Sequence, residues 1–142
     1  MCVPQGYHTL NPYLVVPEAE GMVQFLQEVF GAVQLERYNR PDGTMQHSVF
    51  ALGDSRLMMG QANEQFAAMR LNTMAYVADV DAIYARAVRT GCKMLMPPAD
   101  QPYGDRLCGV EDPAGNIWWV ATHLPESGHD GGKPAEGSPE NP

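Results

Sequence analysis

The chain has 142 residues, 44% of them hydrophobic and 18% charged, enough for one well-buried core and a single domain. Its formal net charge of -8 comes without a basic stripe, which argues against nucleic acid, whose binding rests on Lys and Arg meeting phosphates. No run approaches the roughly 20 apolar residues of a membrane helix, and no basic-then-apolar leader is visible, so the expectation is a cytoplasmic protein with no membrane partner.

Residues 1–9 read as an N-terminal extension, and a short apolar strand follows from Asn11 to Val16. Met22, Val23, Phe25, Leu26, Val29 and Phe30 then recur at helical spacing, with Gly31 as the stop. Strands are expected over 32–38, 45–52 and 55–60, separated by the Pro41-Asp42-Gly43 turn and the Gly53-Asp54 hairpin. These elements make residues 10–62 a first module and 63–71 a linker. The second module, 72–123, opens with an apolar strand from Asn72 to Val77. Its helix starts behind Asp79 as N-cap, is expected to bury Val80, Ile83, Tyr84, Ala87 and Val88, and stops at Gly91. Three strands again follow, over 92–96, 106–111 and 117–122. Residues 124–142 are rich in Pro, Gly, Ser and Glu and cannot repay their ordering entropy by burial, so disorder is expected there.

The two passes keep their spacing from end to end. Asn11 to Asn72 and Met58 to Trp119 are each 61 positions apart, and Gly31 to Gly91 is 60. The chain therefore reads as a duplicated βαβββ unit, an α+β fold. Cys2, Cys92 and Cys108 lack metal-ligand spacing and read as reduced, inert thiols.

Three stretches carry a resemblance: Tyr103-Gly104-Asp105-Arg106, the turn Asp112-Pro113-Ala114-Gly115-Asn116, and Trp118-Trp119-Val120-Ala121-Thr122-His123. Together with the duplicated unit, they resemble the vicinal oxygen chelate superfamily of glyoxalase I, bleomycin-resistance proteins and extradiol dioxygenases, and its PhnB-like branch in particular. The likeness covers residues 8–123. It implies two cupped, four-stranded mixed sheets with helices outside and a cavity inside, completed within one chain or across a homodimer. It implies no single activity, because that scaffold hosts lyases, dioxygenases, epimerases, hydrolases and drug binders.

Metal-dependent members place His and Glu on the first and last strands of each module. The equivalent positions here are Asn11, Met58, Asn72 and Trp119. Carboxamide and thioether are poor donors to a divalent transition metal, and indole offers no lone pair. The expectation is no metal, no cofactor, and an activity leaning away from catalysis. Strand parity puts Asn11, Tyr13, Val15, Met58, Asn72, Met74, Tyr76, Ile117, Trp119 and Ala121 on the cavity side. Leu14, Val16, Thr73, Ala75, Val77, Trp118 and Val120 then face the helices.

The candidate ligand-binding set is Asn11, Tyr13, His47, Met58, Asn72, Met74, Tyr76, Arg106 and Trp119, with a small organic molecule as partner. His47 could alternatively serve as an acid or base. Arg106 could hold a ligand carboxylate or phosphonate, or pair with Asp105 or another acid. Three readings stand: a metal-independent binding protein, a lyase, isomerase or dioxygenase using an unplaced metal or His47, and an interaction module whose cup is filled by its own side chains.

Overall fold

The computed structural model describes residues 2–125. The order is β1 (Tyr13–Val16), α1 (Ala19–Phe30), β2 (Val33–Asn39), β3 (Met45–Leu52), β4 (Ser55–Gln61), β5 (Asn72–Tyr76), α2 (Val80–Arg89), β6 (Lys93–Asp100), β7 (Asp105–Glu111) and β8 (Ile117–His123). The strands form two four-stranded sheets, β1-β4-β3-β2 and β5-β8-β7-β6. In each, the opening strand runs parallel to the closing one and the other pairs are antiparallel. This is the tandem βαβββ fold. The segment from residue 126 onward, expected to be disordered, lies outside the described residues.

Local chemistry sets the element ends. The Glu18 carboxylate caps α1 by accepting from the Glu20 and Gly21 amides at 2.7 and 2.9 Å, and Gly31 ends the helix at φ 65°. Asp79 caps α2 through the Ala82 amide at 3.2 Å. The duplication extends to irregularities, with a bulge between Gln34 and Glu36 matched by one between Met94 and Met96. β6 runs past its expected end to Asp100, because Pro97 and Pro98 lie on an edge strand where a missing N–H is tolerated.

One core serves both modules. Leu14, Val16, Trp118 and Val120 are fully buried on the helix-facing sides of the two sheets, as parity requires. Trp118 packs against Phe25 and Phe30 of α1 with ring centroids 5.7 and 4.9 Å apart, so the first module's helix covers the second module's sheet. On α2, Val80, Ile83 and Ala87 are buried and Tyr84 is half-buried. Val88, expected inside, is exposed: the helix has only ten residues, and its buried stripe ends at Ala87.

The turn before β8 is built on one buried carboxylate. Asp112 accepts from the Ala114 and Asn116 amides, the Asn116 side chain and the Trp118 indole, at 2.8 to 3.0 Å. The Asn116 side-chain oxygen in turn accepts from the Leu71 amide at 2.8 Å, fixing the entry to β5. Asp112 is therefore a turn residue, as its place before Pro113 suggests.

Candidate functional site

The sides of the two sheets turned away from the helices carry separate grooves. The groove on the first sheet holds about 680 Å³ and is lined by Tyr13, Val15, His47 and Gly60, with Phe66 of the following loop. The Tyr13 hydroxyl lies 3.2 Å from His47 Nδ1, and the two rings stack with centroids 5.7 Å apart. Tyr38 flanks the same imidazole at 6.3 Å. A side chain at position 60 would press 2.8 Å from the Gln46 carbonyl oxygen and 3.3 Å from the Tyr13 hydroxyl, so glycine lets the tyrosine lie along the sheet. Arg40 also reaches this groove, with its guanidinium tied to Thr44 Oγ1 at 3.1 Å and the Gln61 carbonyl at 2.8 Å.

The groove on the second sheet holds about 580 Å³, with Trp119 as its floor and Met74, Met96 and Leu107 beside it. Trp119 donates its indole N–H to the Asn72 side-chain oxygen at 3.0 Å on one neighbouring strand. Its six-membered ring lies over Gly109 on the other, where an added Cβ would stand 2.7 Å from Cζ3. A hydrogen bond on one side and a missing side chain on the other hold the indole across three strands.

At one end of this groove sits a polar cluster. Asp105, 4% exposed, accepts from the Tyr76 hydroxyl and from His123 Nδ1, both at 2.9 Å. The hydrogen bond to that carboxylate raises the Tyr76 pKa above the ordinary phenol value.

The expected site residues divide accordingly. Tyr13 and His47 share the first groove, whereas Met58, paired with Tyr13 across the parallel strands, is not among the residues lining either groove. Met74, Tyr76 and Trp119 share the second, with Asn72 positioning the indole. Two further residues fall elsewhere. The Asn11 amide is engaged with its own loop, accepting from the His8 amide at 3.1 Å and donating to the His8 carbonyl at 2.7 Å. Arg106 is turned to the opposite face of β7. Asp81 holds it with two bonds at 2.9 and 3.0 Å and Asp100 with a third at 3.0 Å.

Arg106 cannot reach the groove, because it alternates with Asp105 and Leu107, which do. The two carboxylates also hold its pKa further above the usual guanidinium range. Asp105 and His123 were not among the expected site residues. Their signal was the register that pairs Asp105 with His123 at the far end of β7 and β8.

The superfamily's metal does not fit these residues. Asn11 lies in the loop before β1 and Met58 on the first sheet, Asn72 and Trp119 lie on the second, and none is an anionic or imidazole donor. Asn72 already accepts from Trp119, and Asn11 is bound to its own loop. Among the described residues, no group of three or more His, Cys, Asp or Glu is placed to hold a metal ion.

Two cupped βαβββ sheets with grooves on their helix-free sides define a class, and comparison with known proteins gives the family. The family model of the Glyoxalase/Bleomycin resistance protein/Dioxygenase superfamily matches residues 7–120, and the chain belongs to that superfamily. It is 31% identical over 120 residues to the uncharacterized protein Rv0887c of Mycobacterium tuberculosis, covering 77% of this chain and 71% of that one.

Among solved structures, TioX from Micromonospora sp. ML1 superposes with a TM-score of 0.72 at 25% identity, over 82% of this chain and 99% of that one. TnmS3, an antibiotic binding protein from Streptomyces sp. CB03234, superposes with a TM-score of 0.67 at 22% identity, over 87% and 98%.

Proposed function

We propose that this chain is a small-molecule-binding protein that stacks a flat organic ligand on Trp119 without a metal ion. The observation that carries this reading is the indole itself, pinned by Asn72, seated over Gly109 and left open toward a groove of about 580 Å³. A pre-set aromatic face binds planar molecules at little conformational cost. Met74 and Met96 beside it adapt to ligand shape. The open groove favours binding over a cup filled by its own side chains. An antibiotic binding protein on the same fold is in keeping with this role.

The protein acts, in this reading, as a homodimer in the cytoplasm. Each groove is open on one side, and large apolar side chains stand exposed on these faces: Tyr13 at 44%, Met74 at 44% and Tyr76 at 63%. Laying the first sheet of one copy over the second sheet of its partner would set Tyr13 and His47 opposite Trp119 and enclose the ligand. Light scattering is then expected to give twice the 15.6 kDa chain mass.

The test of binding is thermal unfolding of chelator-treated protein against a panel of planar aromatic drugs and metabolites. A ligand at a hundred times its Kd should add about 2.7 kcal/mol. A panel that leaves the melting temperature unmoved, or moves it only after metal is restored, overturns the proposal.

A further inference from the structure

We propose that the groove on the second sheet selects an aromatic ligand bearing a protonated amine, with Asp105 as its counter-ion. The inference rests on the reading of Trp119 as a stacking floor and goes beyond it to the ligand's chemical class. Asp105 is the charged side chain among the residues lining that groove, whose floor and walls are otherwise dominated by Trp119, Met74, Met96 and Leu107. It is buried at the groove's end, and each of its oxygens has one side-chain donor, Tyr76 on one and His123 on the other. A carboxylate has about four acceptor sites, so a lone pair remains on each oxygen.

The carboxylate also fixes what its partners offer. Tyr76 donates its hydroxyl hydrogen to Asp105, which leaves the phenol oxygen free to accept from a ligand. His123 Nδ1 faces the other carboxylate oxygen at 2.9 Å. The groove's end thus presents the Asp105 carboxylate with the Tyr76 phenol oxygen beside it. A ligand ammonium gains charge-assisted hydrogen bonds there, an alcohol gains less, and a carboxylate is repelled.

The imidazole of His123 is the titratable partner that faces Asp105 across the strand pair, and the guanidinium next to Asp105 in sequence adds no further counter-charge. Arg106 lies on the opposite face, held by Asp81 and Asp100. The indole face draws cations as well, and the net charge of -8 acts in the same sense.

Three probes on one ring system test the proposal: 2-naphthylmethylamine, 2-naphthalenemethanol and 2-naphthoate, titrated calorimetrically into the full-length protein at neutral pH and low salt. The amine is expected to bind about tenfold or more tighter than the alcohol, and the acid weakest. Asp105→Asn should bring the amine-to-alcohol ratio to about one, on the same physical ground. Since removing a buried carboxylate could impair folding, a wild-type measurement stands beside it: added salt should weaken the amine and leave the alcohol unmoved.

All three probes binding alike, the acid binding best, or an amine preference that survives Asp105→Asn would each overturn the cation inference and leave the stacking floor standing. No binding by any of the three would sink the stacking floor itself.

Discussion

Trp119 and Asn72 are joined across the parallel β5–β8 pair by an indole-to-carboxamide hydrogen bond of 3.0 Å, which sets the tryptophan's six-membered ring over Gly109. Both restraints can be removed singly. Gly109→Ala puts a methyl 2.7 Å from Cζ3, so the indole must lift from the sheet. Overpacking of this kind costs about 1–3 kcal/mol in urea unfolding. Asn72→Ala removes one exposed hydrogen bond, costs about 1 kcal/mol or less, and loosens the ring without driving it off the sheet. Ligand affinity should fall more for Gly109→Ala than for Asn72→Ala.

Asp112 is expected to be the least replaceable polar residue of the chain. Asp112→Ala strands the Trp118 indole N–H, the Asn116 amide and side chain, and the Ala114 amide in the turn that leads into β8. Each buried donor left unmade costs about 1–3 kcal/mol, so a loss of several kcal/mol is predicted by chemical denaturation. A loss under about 1 kcal/mol would contradict the account of this turn.

Arg106→Gln should leave ligand binding within about twofold, because the guanidinium faces Asp81 and Asp100 on the far side of β7. Its effect is expected on stability instead, and modestly, since these ion pairs are exposed. The Arg106 hydrogen bond lowers the Asp81 pKa below the usual carboxylate value. A depressed folded-state pKa gives stability that is present above the unfolded value and lost as pH falls through the folded one. The wild-type advantage over Arg106→Gln should therefore shrink toward low pH.

Tyr76 gives the opposite dependence at high pH. Its hydrogen bond to Asp105 raises the pKa, so the native state keeps the phenol proton longer than the unfolded chain does. That contribution is fully present below the unfolded phenol pKa and disappears as pH rises through the folded one. Tyr76→Phe should flatten the alkaline decline in stability. In absorbance titrations of the native protein, the signal lost in the variant should come from the late-titrating end.

The three thiols should separate by reactivity. Cys2 is exposed and should react with a thiol reagent within the first phase. Cys108 is buried beneath the helices, and burial pushes its thiol up to about 11, so it should react only on unfolding. Cys92 is half-buried with a raised pKa, again chiefly from burial, and should fall between them.

The fold was legible because duplication and parity act over every residue of a strand. The 61-residue offset predicted that Met58 and Trp119 would hold matching places, and each lies on a closing strand opposite an opening one. Alternation also separated Trp118 from Trp119 correctly, one buried and one half-exposed.

Less of the site was legible. Tyr76, Asp105 and His123 come together from three strands, and no local motif joins them. Pairing Arg106 with its neighbour Asp105 was attractive in sequence but conflicts with alternation, which sends adjacent side chains to opposite faces. The same rule, applied to β7, points Asp105 toward the groove and Arg106 toward α2. Asn11 could not be read from spacing, because its amide is absorbed by a local loop with His8.

The central claim is that ligand binds on Trp119 without a metal. The two indole N–H groups offer a direct reading, since Trp118 donates to Asp112 in the core and Trp119 donates to Asn72 at the groove. In 15N-labelled, chelator-treated protein, a binding aromatic should shift the Trp119 indole resonance saturably and leave that of Trp118 in place. A ligand that binds with the Trp119 resonance unmoved, or moves it only once a divalent metal is added, would contradict the account.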